Sequence, residues 1–176
     1  MSDALQALFS QASVLHLAPG QMLFHAGDTP QSLFLVRAGV IALRRNTSHG
    51  HTLVLQRAQA GQIVAEASVY SDCYHCDAVA NEASQLASLP RSAFLAALDR
   101  DPGLARVWSS RLAREVQIAR TRAEIRSLPR VADRLDAWLG EGNALPEKGA
   151  WHQVAAELGI SREALYRELS RRRHTV

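Results

Sequence analysis

The stretch WHQVAAELGISREALYRELSRRR, residues 151–173, decides the fold. Val154, Ala155 and Leu158 recur at helical spacing and supply a short apolar face. Gly159 follows, suited to the positive φ of a tight turn. Ser161 can cap a new helix, in which Ala164, Leu165 and Leu169 face inward. A short helix, a glycine turn and a basic second helix describe a helix-turn-helix. Such a second helix enters the major groove and offers side chains near its N-terminal end to base edges, here Arg162, Glu163 and Arg167. Arginine bonds the guanine edge with two donors, and glutamate accepts from the cytosine amino group. Arg171, Arg172 and Arg173 are suited to phosphate contacts or to solubilising the helix end. A helical hairpin with a charged outer face fits the same pattern in isolation, so the preceding chain must decide between them.

Upstream, Pro129 marks a boundary before a helix expected over 130–139, and GEGNALPEKG (140–149) reads as a loop. Before it lies a long helical pattern, with Leu104, Trp108, Leu112, Glu115, Ala119 and Ala123 at spacings of three and four. Asp101-Pro102-Gly103 separates a short helix, 92–100, from this longer one. Heptad phasing puts Ala105, Leu112 and Ala119 at one seam position and Trp108, Glu115 and Arg122 at the other. The helix either packs on its own β-domain or pairs with a second copy; Trp108, Leu112, Glu115 and Ala119 are the candidate dimer contacts. From Leu15 to Leu89 short apolar runs such as SLFLVRAGVIALRR and TLVLQRA alternate with turn residues, the mark of a β-sandwich or barrel. Asn46-Thr-Ser-His-Gly50 reads as a hairpin loop.

Composition and charge agree with this order. The chain has 176 residues, 47% of them hydrophobic, enough for a buried core. Residues 1–100 carry six arginines against seven acidic residues, whereas 101–176 carry fourteen basic against ten acidic ones. A positive excess gathered at one end suits a polyanion partner. No apolar run reaches membrane-spanning length, and the N-terminus lacks the basic and apolar regions of a secretory signal. Two cysteines make no disulfide framework, so a cytoplasmic protein with no membrane partner is expected. No nucleophile elbow, phosphate-binding glycine loop or paired-carboxylate motif is present, so no enzyme is expected.

β-domain, long helix and helix-turn-helix, in that order, resemble the cyclic-AMP receptor protein/FNR family of bacterial transcription regulators. PGQMLFHAGD (19–28), LFLV (33–36) and Gly39 look like its β-roll signature. GQIVAE (61–66) looks like the start of its effector cassette, with Glu66 as the cassette glutamate. Leu89, Pro90 and Phe94 resemble the lead into its dimerisation helix, and LGISREALYR is similar to its recognition-helix motif. The resemblance implies an α+β architecture: an antiparallel β-roll of the cyclic-nucleotide-binding jelly-roll type (1–100), a dimerisation helix (101–128) and a helix-turn-helix domain (129–176). It implies a homodimer reading a palindromic site in double-stranded DNA through Ser161, Arg162, Glu163, Arg167, Arg171 and Arg172, with RNA polymerase a further partner of an activator. Family members continue into a β-wing, whereas this chain stops at Val176, so a truncated or missing wing is expected. The alternative is an effector-binding sensor module with little or no specific DNA binding.

The effector cassette departs from the family. Where cyclic-nucleotide binders carry Arg-Ser or Arg-Thr against the cyclic phosphate, this chain reads His75-Cys76. Neutral histidine and cysteine do not replace a charged, forked guanidinium, which argues against cyclic AMP. Glu66, Cys73, His75 and Cys76 are the candidate effector residues. Cys73, His75 and Cys76 are also candidate metal ligands, since thiolate and imidazole suit Zn(II) or Cu(I). A fourth ligand could come from His25, His49, His51 or a partner subunit. Cys-x-x-Cys could instead close as a redox switch, or both could be ordinary structural cysteines. Haem is a further option: Cys73-Tyr-His75 has the Cys-x-His spacing of the haem-binding members, lies several residues further along, and Ser2 stands where their N-terminal proline ligand would be.

Overall fold

The computed structural model describes residues 3–46, 52–64 and 66–173. The chain forms two compact units, one ending at Leu112 and the other beginning at Ala113, so the division falls inside a single helix.

The first unit is a sandwich of two antiparallel four-stranded sheets. One has the order β1 (Ser13–Leu17), β8 (Ser84–Pro90), β3 (Ser32–Ala38), β6 (Ile63–Val64). The other runs β2 (Met22–Phe24), β7 (Asp77–Ala80), β4 (Ile41–Asn46), β5 (Thr52–Ala58). Between the sheets Leu17, Phe24, Phe34, Val36, Ile41, Val64, Tyr74 and Leu86 form one apolar core. A second core lies on the outer face of the first sheet, where Leu33, Leu35, Ile63 and Ala87 meet Leu5, Phe9, Phe94, Leu98 and Trp108. β3 therefore buries both faces, which is why it reads as an unbroken apolar run instead of alternating. β4 and β5 pair antiparallel with Asn46 opposite Thr52; residues 47–51, the rest of the expected hairpin loop, lie outside those described.

Helices α1 (Asp3–Ala7) and α2 (Arg91–Arg100) and the first turns of α3 (Pro102–Ser127) cover that outer face. Asp101 breaks α2 from α3 as expected. Its backbone is extended, and its Oδ1 accepts the N–H groups of Gly103 at 2.8 Å and Leu104 at 3.1 Å, capping α3 with Pro102 in the first helical position. Trp108, a candidate dimer contact, is 1% exposed and meets Phe94 edge-on at 4.8 Å between ring centroids. It belongs to the core of its own chain. Leu112 is half-buried against the second core, and the apolar stripe left outward beyond it is Val116, Ala119 and Ala123, at spacings of three and four, with Val116 49% exposed.

The second unit packs the end of α3 against α4 (Val131–Gly140), α5 (Trp151–Leu158) and α6 (Arg162–Arg173). Its core is Ile125, Leu135, Trp138, Val154, Ala155, Leu158, Leu165 and Leu169. Residues 148 and 149 of the expected loop, with Ala150, form a 3-10 turn that runs into α5. Gly159 ends α5 in the left-handed region at φ 64°, and Ser161 Oγ accepts the Ala164 N–H at 3.2 Å to start α6. Two arginines hold the turn between them. Arg126 donates from Nε to the Glu157 carbonyl at 2.9 Å and from Nη2 to that of Ala156 at 3.1 Å. Arg134 donates from Nη1 to the Leu158 and Gly159 carbonyls, both at 3.2 Å, and from Nε to that of Leu128 at 2.7 Å. The carbonyls at the end of α5 and at its cap, of which only that of Ala156 also accepts the Gly159 N–H, are thus bound by guanidinium groups from α3 and α4 at the negative end of the helix dipole.

Two outcomes are expected. Gly39 sits at φ 84°, and an added Cβ would lie 2.6 Å from the Ala83 carbonyl oxygen. Gly39→Ala should destabilise the β-roll by about 2 kcal/mol or more, while Gly61→Ala, at the same φ with open space around it, should cost roughly 1 kcal/mol; urea unfolding of the two variants compares them. Arg134→Gln should lower the stability of the second unit by about 2–3 kcal/mol, since charge-assisted hydrogen bonds to otherwise orphaned carbonyls are lost. Hydrogen exchange at the α5–α6 amides reads this loss locally.

Candidate nucleic-acid interface and sensor mouth

The residues expected at the nucleic-acid interface divide into two groups on α6. Arg162, Glu163 and Arg167, in the first half, are exposed. Arg162 and Arg167 hold no hydrogen bond or ion pair within 4 Å among the described residues. The Glu163 carboxyl is held below its ordinary range by its own backbone N–H and by the Ser161 hydroxyl, so it stays ionised and acceptor-only near neutral pH. In the second half, Glu168 is 9% exposed and ion-paired to Arg171 at 2.8 Å and to Arg172 at 2.7 Å. Hydrogen bonds from these two guanidinium groups depress its carboxyl. Arg172 also reaches Asp136 Oδ1 at 2.6 Å and the Ala132 carbonyl at 3.1 Å, tying α6 to α4. Arg171 and Arg172, expected at phosphates, are thus engaged within the chain. Tyr166 secures the intervening turn by donating to the Lys148 carbonyl at 3.2 Å and packing on Trp151.

The candidate sensor residues lie at one end of the β-sandwich. Glu66 opens a 3-10 turn after β6 and is 9% exposed. The segment leading into β7 is pinned on several sides. The Tyr74 ring stacks on Phe24 at 3.7 Å, its hydroxyl donates to the Ser32 carbonyl at 3.2 Å, and its N–H bonds the Asp28 carbonyl at 2.9 Å. Burial raises the Tyr74 phenol above its ordinary pKa. Asp77 Oδ1 accepts the Ala26 N–H at 2.8 Å, and His25 Nδ1 lies 3.9 Å from the same oxygen. The His75 side chain is exposed and lies against Ser71 Oγ at 3.3 Å.

Cys73 and Cys76 are both half-buried free thiols. Burial pushes the Cys76 thiol up; Arg45 counteracts this, while Asp77 and Glu66 add to it. A thiol so raised is neutral near pH 7, as in a structural cysteine and unlike an activated one. Among the described residues, no three of His, Cys, Asp and Glu are gathered so as to hold a metal ion. Cys73, His75 and Cys76 share a loop without forming a ligand set; His49, His51 and Ser2 lie outside the described residues. Sequence reasoning passed over Arg45, whose Nε and Nη2 both donate to the His75 carbonyl, at 3.3 and 3.1 Å. The signal for it was present: in IALRRN, Ile41, Leu43 and Arg45 fall on one face of a strand.

Comparison with known proteins accords with this arrangement. Residues 14–101 match the family described as the cyclic nucleotide-binding domain. The cyclic AMP receptor protein of Thermus thermophilus is 31% identical over 155 residues, covering 85% of this chain and 72% of that protein. The crystal structure of the catabolite activator protein of Thermus thermophilus aligns at TM-score 0.59 and 27% identity over 97% of this chain and 82% of that one. FixK2 from Bradyrhizobium japonicum shares the fold at TM-score 0.75 and 17% identity, over 93% of this chain and 85% of that one. These relatives are regulators and not enzymes by description, and among the described residues no helix is long and apolar enough to cross a membrane. With a β-roll that matches the family domain and a helix-turn-helix at the far end of a long helix, the chain belongs to the cyclic-AMP receptor protein/FNR family of transcription regulators.

Proposed function

We propose that this protein is a DNA-binding regulator that pairs along α3, reads a palindromic site with two copies of α6, and responds to a signal other than cyclic AMP. The observation that carries the reading is the exposed face of α6. Arg162, Glu163 and Arg167 project from a helix whose start is capped by Ser161 and whose far end is tied down through Glu168, Arg172 and Asp136. A helix held at both ends keeps its base-reading side chains in a fixed array, which direct readout requires. Pairing along α3 is supported by the outward stripe Val116, Ala119 and Ala123, which continues the half-buried Leu112 at the spacing of a two-helix seam. Glu115 flanks this stripe. A signal other than cyclic AMP is supported by His75-Cys76, where the exposed imidazole and the neutral thiol offer no permanent cation to a cyclic phosphate.

Selection of binding sites from random duplex DNA, followed by competition binding, tests the reading directly. Arg167→Ala should reduce the preference for the selected site over mutated sites roughly 5- to 100-fold, as expected for the loss of one bidentate base contact. Unchanged discrimination would remove α6 as the reading helix. Val116→Glu should shift the protein to monomer in sedimentation experiments, because a charge then lies on the apolar seam. The same variant should bind a two-half-site duplex at least tenfold more weakly while its second unit stays folded.

A further inference from the structure

We propose that Arg45 is the anion ligand at the open end of the β-sandwich, and that the effector is a small molecule carrying a phosphate or carboxylate group. The inference rests on the sensor reading above and names the chemistry of its signal. Ile41 is part of the core between the sheets and Leu43 packs against it; a strand alternates its faces, so Arg45 lies on the same face, exposed where the strand leaves the core. Ile41 pairs with Ala80 and Leu43 with Ala78, so the half-buried Cys76, just before β7, is next in the same series. Arg44 turns to the other face and donates to Asn81 Oδ1 at 2.7 Å.

Arg45 is the cation of this mouth. Its Nε and Nη2 are engaged by the neutral carbonyl of His75, which fixes the guanidinium against the strand without neutralising it. The Nη1 edge makes no hydrogen bond, and the cation makes no ion pair, among the described residues. A positioned guanidinium with free donors is a receptor for an oxyanion. The neighbours narrow the ligand further. Glu66, 9% exposed, is an acidic neighbour that raises the Cys76 thiol. Leu53, paired with Arg45 on β5 and 49% exposed, offers apolar contact beside the charged group. One edge of the guanidinium is already taken, so Arg45 supplies a partial fork in place of the full clamp that a cyclic phosphate receives from a cassette arginine.

The test is calorimetric titration of the full chain with inorganic phosphate, citrate and cyclic AMP, using wild type, Arg45→Gln and Arg44→Gln. Phosphate or citrate should bind wild type and Arg44→Gln alike, more weakly as salt is raised, and should bind Arg45→Gln at least tenfold more weakly. Cyclic AMP should bind no tighter than phosphate. Should Arg45→Gln fail to fold, Arg45→Lys replaces it, with retained but weakened binding expected. Absence of binding by both phosphate and citrate, or equal binding by wild type and Arg45→Gln, would overturn the proposal; the second result would place the oxyanion elsewhere, for example on α6. Tight cyclic AMP binding that is lost in Arg45→Gln would keep Arg45 as the anion ligand and overturn the reading of a signal other than cyclic AMP. Binding of the selected DNA by Arg45→Gln, measured on the same preparation, reads the regulator function separately.

Discussion

The C-terminal carbonyls of α5 are the constraint on which the second unit is organised. A helix this short ends with several acceptors and the negative pole of its dipole concentrated in one turn. Left dry and unbonded, each would cost about 1–3 kcal/mol, comparable to the whole margin by which a small unit stays folded. Arg126 and Arg134 supply the missing donors from two different helices, so one electrostatic event fixes three elements at once. Gly159 is part of the same solution. Its lack of a Cβ permits the left-handed turn, at φ 64°, which an L side chain rarely adopts. The position of α6 therefore follows from α3 and α4 more than from the turn itself.

The β-roll solves a different problem. Both faces of its first sheet are buried, one against the second sheet and one under helices that include the start of α3. Packing this continuous leaves little room for a polar site except where strands end. At that end the exposed Arg45, the half-buried Cys76 and the buried Glu66 adjoin the apolar interior, and the segment before β7 is held by stacking, backbone bonds and Asp77. A rigid rim around a few ionisable groups is the arrangement that lets a small ligand act through differential contacts with little reordering of the chain.

Much of this was legible in the sequence, and the exceptions have physical reasons. Gly159 and Ser161 announced the turn because left-handed backbone and N-caps are local needs met by few residue types. Asp101-Pro102-Gly103 announced the helix break for the same reason. Trp108 was misjudged because spacing reveals a helix face without revealing what covers it, and the first turns of α3 are claimed by Phe94 and Leu98. The clamp of Arg126 and Arg134 was invisible: their partners are carbonyl oxygens about 25–30 residues away, which leave no trace in residue identity. The same holds for Arg172, a surface-like arginine in sequence and a tie between helices in the fold.

That tie bears on how the protein meets a polyelectrolyte. The last sixteen residues carry five arginines, and a count of charge alone would assign all five to the electrostatic footprint. Arg171 and Arg172 are already turned toward Glu168 and Asp136, which leaves Arg173 as the arginine of the last three without an ion pair among the described residues. On the proposed reading, each copy of α6 would displace fewer condensed counterions than a count of five arginines implies, with a correspondingly shallower dependence on ionic strength. Non-specific attraction to bulk nucleic acid falls with it, and a larger share of the discrimination rests on the base-facing side chains. On the proposed reading, a buried carboxylate in the second half of α6 would thereby set how selective its first half can be.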